Sequence, residues 1–263
     1  MGFKNNDALV SGATLINVIA DASSNVFFAM STTTFALDDG EIGDDVFLDF
    51  SKNNAVITRK PIFDFNGDGF ISPGPNGIID IDGTGPDLAG PDHIQVVSND
   101  GGSIELRGLG SKGGQFTYAD GATRKNLWAE FGEANVIEGT VGNDRINAAD
   151  GAKVILHDNA LGLNLGGDTI SGFGNDDLLV TTMQLFDGNG DGTISFGRNR
   201  VLDMSGVSSA NDANSHNALG GQLKFVNSAL RSVDYLGSHE INGVTYYYYG
   251  TSESTYVVGS EPA

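Results

Sequence analysis

Residues 62–83 read IFDFNGDGFISPGPNGIIDIDG, and residues 185–206 read LFDGNGDGTISFGRNRVLDMSG. The two stretches are offset by 123 residues, and ten of the seventeen positions from 64–80 onto 187–203 are identical. A near-copy at this distance within a chain of 263 residues predicts two tandem repeats of one structural unit.

The repeat extends beyond these two loops and sets the expected domain organisation. We expect a first module at residues 1–125 and a second at residues 126–263, with one loop in each. The same offset places Asp45 on Asp168. Shifted alignments also place Asn17 on Asp144, and the segment from Gly101 on the segment from Gly220.

The composition favours an all-β fold. The chain holds 38 glycines and only 18% charged residues, and no segment keeps a 3.6-residue apolar period over several turns. Short runs rich in β-branched and aromatic residues alternate instead with Gly, Asn and Asp. These predicted strands are 25–37, 55–63, 93–100, 153–158, 177–186, 221–226 and 243–250. They fit either a β-sandwich or a β-roll resembling a β-helix.

One segment between the modules is compatible with a helix. Residues 124–135 read RKNLWAEFGEAN and carry the single tryptophan of the chain, Trp128. We expect a short helix here that holds Trp128 against the core.

Charge and cysteine content restrict the function classes. There are 34 acidic and 14 basic residues, which gives a net charge of -20, so nucleic acid and anionic membrane surfaces are disfavoured as partners. The chain has no cysteine, which excludes disulfides and thiolate metal sites. No run approaches about 18 apolar residues, and we expect no membrane insertion. The N-terminus also lacks the pattern of a signal peptide.

Oxygen-bearing side chains alternate along each loop at the spacing that suits Ca²⁺, which prefers six to eight oxygen ligands. Position 6 of each loop is a glycine, where a sharp turn is needed, and position 7 would donate a backbone carbonyl. The predicted ligands at positions 1, 3, 5 and 7 are Asp64, Asn66, Asp68 and Phe70 in the first loop and Asp187, Asn189, Asp191 and Thr193 in the second.

This order resembles the calcium loops of EF-hands and dockerins, but it departs from them at position 12. An acid is expected there, whereas this chain has Pro75 and Arg198. Both loops instead have an acid at position 17, Asp80 and Asp203, which we predict to complete the calcium shell. The alternative for a single such loop is a turn stabilised by Asp and Asn side chains.

A weaker signal lies in the second module. Residues 139–147, GTVGNDRIN, resemble one nonapeptide of the RTX calcium-binding proteins, and residues 165–179 resemble segments that flank RTX arrays. We therefore name Asp144 and Asp168 as candidate calcium ligands, although their separation of 24 is not a multiple of nine. The alternative is a β-roll rung that has lost its metal.

The loops and these segments together resemble a secreted RTX-like calcium-binding protein of Gram-negative bacteria. The resemblance implies type I export, which reads the C-terminus, and folding upon contact with extracellular calcium. It covers about a quarter of the chain in specific motifs, and it implies no toxin, lipase or protease activity here.

No pattern of an enzyme is present: the sequence has no HExxH, GxSxG, P-loop or dinucleotide fingerprint. We expect a structural protein that self-assembles into an extracellular filament, matrix or surface layer. The segment 243–259, with its run of four tyrosines, is expected to form strands with one aromatic face packed against a neighbouring copy. The alternative is a monomeric adhesin or carbohydrate-binding module that contacts extracellular polysaccharide.

Overall fold

The fold is given by a computed structural model, which describes residues 9–10, 13–18, 23–37, 42–81, 92–196, 200–204, 220–226 and 230–259. The chain divides into two compact units, Met1–Ala122 and Thr123–Ala263. This boundary lies three residues before the predicted one. Within the described ranges, no helix has the length and apolar character needed to cross a membrane.

The first unit is built from ten short strands. They are β1 Thr14–Val18, β2 Val26–Phe28, β3 Thr33–Leu37, β4 Asp44–Phe50, β5 Asn54–Thr58, β6 Phe70–Ile71, β7 Ile79–Asp80, β8 His93–Ser98, β9 Leu106–Lys112 and β10 Gln115–Asp120. One sheet has the order β1-β3-β5-β10-β9-β6, and the other has the order β2-β4-β8-β7.

The first five strands of this unit alternate between the two sheets. β1, β3 and β5 pair in parallel in one sheet, while β2, β4 and β8 pair in parallel in the other. The chain therefore coils, placing one strand in each sheet per turn. This coiled part fits the β-roll alternative. The pairs β5–β10, β9–β10, β6–β9 and β7–β8 are antiparallel, so both sheets of the unit are mixed.

The second unit repeats this topology strand for strand, after helix α1, Ala122–Phe131. Its strands are β11 Val136–Glu138, β12 Arg145–Asn147, β13 Val154–His157, β14 Gly167–Ser171, β15 Leu178–Thr181, β16 Thr193–Ser195, β17 Val201–Asp203, β18 Gln222–Phe225, β19 Ser232–Ile241 and β20 Val244–Gly250. Its short 3₁₀ turns are Glu133–Asn135 and Asn159–Leu161. The sheet orders are β11-β13-β15-β20-β19-β16 and β12-β14-β18-β17, so the all-β class is confirmed.

Each unit buries an apolar core to which both of its sheets contribute. In the first unit the rings of Phe35 on β3 and Phe47 on β4 stack with centroids 4.3 Å apart. In the second unit the equivalent registers hold Ile155 and Ile170, both almost fully buried. The two cores thus have the same placement and different side chains.

Helix α1 covers the outer face of the six-stranded sheet in the second unit. Its Leu127 is fully buried among side chains of β11, β13, β15 and β20, and Trp128 packs against the same cluster. The predicted helix is therefore present. Tyr246 and Tyr248 lie in this cluster and are fully buried, while Tyr249 lies in the core between the sheets.

The expectation that an aromatic face of the tyrosine strand packs against a neighbouring copy is therefore wrong. The helix of the same chain supplies the apolar cover that was assigned to a partner. Residues 251–259 also form turns and extended chain rather than a further strand.

Two other sequence expectations are corrected. Residues 25–37 form two strands in different sheets, because the chain turns between them at Ser31, which has φ of 48°. The segment from Gly220 forms β18, which lies between β14 and β17 as β8 lies between β4 and β7. Its counterpart is therefore His93–Ser98 and not the segment from Gly101.

Candidate metal centre

The first acid of each loop organises the backbone around it. The carboxylate of Asp64 accepts hydrogen bonds from the backbone N–H groups of Gly67 and Gly69, both at 2.8 Å. Asp187 accepts the equivalent bonds from Gly190 at 2.8 Å and Gly192 at 2.7 Å. The N–H of Gly192 makes the largest contribution to lowering the pKa of Asp187, which favours the charged form.

The side chains at positions 3 and 5 turn toward each other in both loops. The amide of Asn66 donates to the carboxylate of Asp68 at 2.8 Å, and Asn189 donates to Asp191 at the same distance. Asp68 also accepts from the N–H of Phe70 at 2.8 Å, and Asp191 accepts from Thr193 at 2.8 Å. The structure therefore brings positions 1, 3 and 5 together in one turn, twice.

Glycine is required at position 6 for a conformational reason. Gly69 has φ of 84° and Gly192 has φ of 82°, in the left-handed region where a β-carbon is disfavoured. The side-chain oxygens of the loop remain at the surface, since Asn66, Asp68, Asn189 and Asp191 are all exposed. Each carboxylate oxygen has two lone pairs, so one N–H bond leaves capacity for a cation.

A buried tyrosine hydroxyl holds the chain just before each loop. The hydroxyl of Tyr118, on β10, accepts the backbone N–H of Ile62 at 2.7 Å. The hydroxyl of Tyr249, on β20, accepts the N–H of Leu185 at 2.8 Å. Burial raises the pKa of both tyrosines, so the neutral phenol is favoured. Ile62 and Leu185 each lie two residues before the first acid of their loop.

A backbone bond to a neighbouring strand holds the other side of each loop. The carbonyl of Gly69 accepts the N–H of Gly108 on β9 at 2.9 Å, and the carbonyl of Gly192 accepts the N–H of Tyr235 on β19 at 2.8 Å. Each loop is therefore fixed before position 1 and at position 6. Phe70 and Thr193, the predicted carbonyl donors, begin β6 and β16 directly after this point.

The acids at position 17 lie on strands and are buried. Asp80 ends β7 and is 2% exposed, and Asp203 ends β17 and is 3% exposed. Among the described residues, no cluster of three or more His, Asp or Glu side chains is placed to hold a metal ion. Asp80 therefore does not form an acidic cluster with Asp64 and Asp68. That Asp80 and Asp203 complete the calcium shells of their loops stays a prediction.

The structure describes the residue at position 12 in the first loop only. Pro75 lies in the wall of a cavity beside the first loop, and Asp80 lines the same cavity. Arg198, the residue at position 12 in the second loop, lies outside the described residues.

Asp144 and Asp168 are brought together across one turn of the coil. The N–H of Asp144 donates to the carboxylate of Asp168 at 2.8 Å, and the Asp144 carboxylate accepts from the N–H and hydroxyl of Thr140. Burial, with a smaller contribution from the nearby charge of Asp144, raises the pKa of Asp168 to about 7. A cation bound here would favour the charged carboxylate.

The counterpart of Asp144 in the first unit is Asn25 and not Asn17. Asn25 directly precedes β2, as Asp144 directly precedes β12, and its N–H donates to Asp45 at 2.9 Å. The first unit therefore keeps an acid, Asp45, at the position of Asp168, but it has Asn25 at the position of Asp144. The alignment failed here because the coils of the two units differ in length.

The two tyrosines were not identified from the sequence. Their offset is 131 residues, whereas the loops are offset by 123, so a single alignment of the repeats does not superpose them. The available signal was the tyrosine in each last strand, at residues 118 and 249.

Comparison with known proteins adds no relative. No protein-family model, no curated protein and no solved structure matches the chain. The fold and the loops define a class, an all-β protein of two units with the same mixed-sheet topology, each carrying one Asp/Asn/Gly loop.

Proposed function

We propose that this chain is a calcium-stabilised structural protein that works outside the cell and assembles with copies of itself. The calcium assignment is supported by one observation: both units have a loop of the same geometry, and each loop is anchored by the hydroxyl of a buried tyrosine. The assembly assignment is carried by an exposed apolar edge strand in the first unit.

Calcium fits the oxygen donors of these loops. Each loop offers two carboxylates, one amide oxygen and a following backbone carbonyl, which are the hard ligands that Ca²⁺ prefers. The anchors on Tyr118 and Tyr249 fix the backbone just before each loop, so less ordering is required when the ion binds. Calcium would also offset part of the net charge of -20, which opposes compact folding.

An extracellular site of action follows from the ion. Calcium modules outside cells bind with dissociation constants of about 10⁻⁴–10⁻³ M, well matched to exposed loops of this kind. The chain has no cysteine, so bound calcium takes the stabilising place that disulfides hold in many secreted proteins.

The first unit presents an apolar edge strand. β2 pairs only with β4 among the described strands, and its Val26 and Phe28 are both 56% exposed. Met30 follows and is 72% exposed. Natural edge strands usually carry charges or cover that prevent pairing, so an apolar edge favours association with another chain.

The second unit shows what a protected edge looks like in the same fold. β12 occupies the position of β2, and Arg145 and Asn147 stand where the first unit has Val26 and Phe28. Arg145 and Asn147 are also exposed, but they are polar. The contrast points to β2 as the contact between copies.

Assembly is tested with one added charge at equivalent edges. Electron microscopy and sedimentation of the wild-type protein should show ordered polymers in calcium and their loss in chelator. Phe28→Lys should abolish the polymers, because a charge is placed in the contact, while Asn147→Lys should leave them intact. A monomer in both conditions, or equal effects of the two substitutions, would contradict the assembly proposal.

A further inference from the structure

A cavity of about 240 Å³ opens beside the calcium loop of the first unit, between the loop and strands β6 and β7. Its buried side includes Phe70, Ile71 and Ile79. The outer part of the cavity is formed by side chains that do not belong to the hydrophobic core of the unit.

Two phenylalanines form the apolar outer wall. Phe63 is 42% exposed and Phe65 is 81% exposed, and their ring centroids lie 6.4 Å apart at an interplanar angle of 73°. Pro73 and Pro75 add further apolar surface to the wall. The rings of Phe63 and Phe65 therefore form an exposed apolar platform at the mouth of the cavity.

Polar groups lie beside this platform. Asn66, Ser72 and Asp80 also line the cavity, and Asp80 is almost fully buried. The hydroxyl of Ser72 donates to Glu105 at 2.6 Å, so its oxygen is held in a fixed position. The cavity thus combines an apolar wall with oriented hydrogen-bonding groups, the composition typical of small-molecule sites.

The second loop shows that the platform is not needed to form the loop. Gly188 stands where the first loop has Phe65, and Phe196, which replaces Pro73, is buried in the core. The hydrogen bonds of the two loops are nevertheless the same. Phe65 is therefore not required to shape the loop.

We infer that this cavity binds one neutral sugar ring of a glycan. A pyranose has an apolar face of C–H groups that suits the electron-rich face of an aromatic ring, and hydroxyls that suit polar residues such as Asn66 and Ser72 in the lining. The volume lies below the roughly 300–1,000 Å³ of drug-sized pockets, which fits one ring rather than a folded peptide. The acids of the adjacent loop disfavour an anionic ligand.

The inference goes beyond the proposed structural function, and it rests on the calcium-bound loop, because Asn66 and Asp80 of the lining are also predicted calcium ligands. Glucose, galactose, mannose, rhamnose and N-acetylglucosamine are tested singly by calorimetry and by saturation-transfer NMR. The protein is the full chain in calcium, with its metal content measured, so that loss of sugar binding and loss of metal are told apart.

We expect at least one sugar to bind and Phe65→Ala to weaken that binding tenfold or more with the calcium content unchanged. Phe186→Ala is the matched control, because Phe186 is 39% exposed beside the other loop, and it should have no effect. Binding by none of the sugars would overturn the inference. So would equal loss in the two variants, or a change of oligomeric state by Phe65→Ala without any sugar effect.

Discussion

The two units share one topology and differ in what fills it. Both place a loop after the fifth strand and hold it with a tyrosine from the tenth. Phe35 and Phe47 in the core of the first unit are replaced by Ile155 and Ile170 at the equivalent registers of the second, although both cores hold other buried phenylalanines. The hydrogen bonds that hold the loop are the same in both units, whereas the core packing, the edge strand β2 and Phe65 differ.

The turns of the coil also differ between the units. In the second unit, Arg145 pairs with Thr169 and Val154 pairs with Leu178, both 24 residues apart. In the first unit, Val26 pairs with Val46, only 20 residues later. Hydrogen bonds from backbone N–H groups to carboxylates span the same 24 residues in the second unit. The N–H of Asp144 donates to Asp168, and the N–H of Lys153 donates to Asp177.

The largest expected difference between the units comes from helix α1. Leu127→Ala removes a fully buried side chain from the outer cluster of the second unit, which should cost about 2–5 kcal/mol in free energy of unfolding. Hydrogen exchange resolved by peptide should show faster opening of residues 136–157, with the first unit unchanged. Lys125→Ala, on the exposed side of the helix, is the control. Equal loosening of both units would mean that the helix does not serve the second unit alone.

The tyrosine anchors should matter equally in both units. Tyr118→Phe and Tyr249→Phe each leave a buried N–H, that of Ile62 or Leu185, without its acceptor, at a cost of about 1–3 kcal/mol. Each substitution should also weaken calcium binding to the loop of its own unit, as measured by calorimetry.

Tyr247→Phe, on the same strand as Tyr249 but only half-buried, should change neither stability nor affinity. If either anchor variant kept full calcium affinity, the tyrosines would be core residues with no positioning role.

The smallest expected effect comes from a matched pair of substitutions in the loops, Gly67→Ala and Gly190→Ala. Gly67 has φ of 72° and Gly190 has φ of 70°, and an added β-carbon would meet nothing within 4 Å at either position. Alanine should therefore cost only the backbone strain, about 1 kcal/mol at each site. Denaturant unfolding should give the same loss for both variants, and a clear difference would show that the loops are not equivalent.

The sequence was sufficient to predict the all-β class, the repeat, helix α1 and most strand positions. The local patterns that carry this information are turn residues and β-branched runs, which act within a few positions. The alternation of strands between two sheets was not predictable, because the turn at Ser31 interrupts one continuous apolar run. Which strands pair depends on the number of residues in each turn of the coil, and no local sequence pattern indicates that number.

The candidate site divides in the same way. Positions 1, 3 and 5 were predictable because their contacts are local. The anchors Tyr118 and Tyr249 lie 56 and 64 residues beyond their partners, and long-range contacts of this kind leave no local pattern. The cover over Tyr248 was misassigned to a neighbouring copy because its true source, helix α1, lies about 120 residues earlier in the chain.

The most direct test is the number of calcium sites in three proteins, measured by calorimetry on the wild type, Asp68→Ala and Asp191→Ala. Because the two loops have the same geometry on the same anchors, each variant should lose one site, and the other loop should keep its affinity. A stoichiometry that does not fall in either variant would contradict the assignment of the loops as calcium sites.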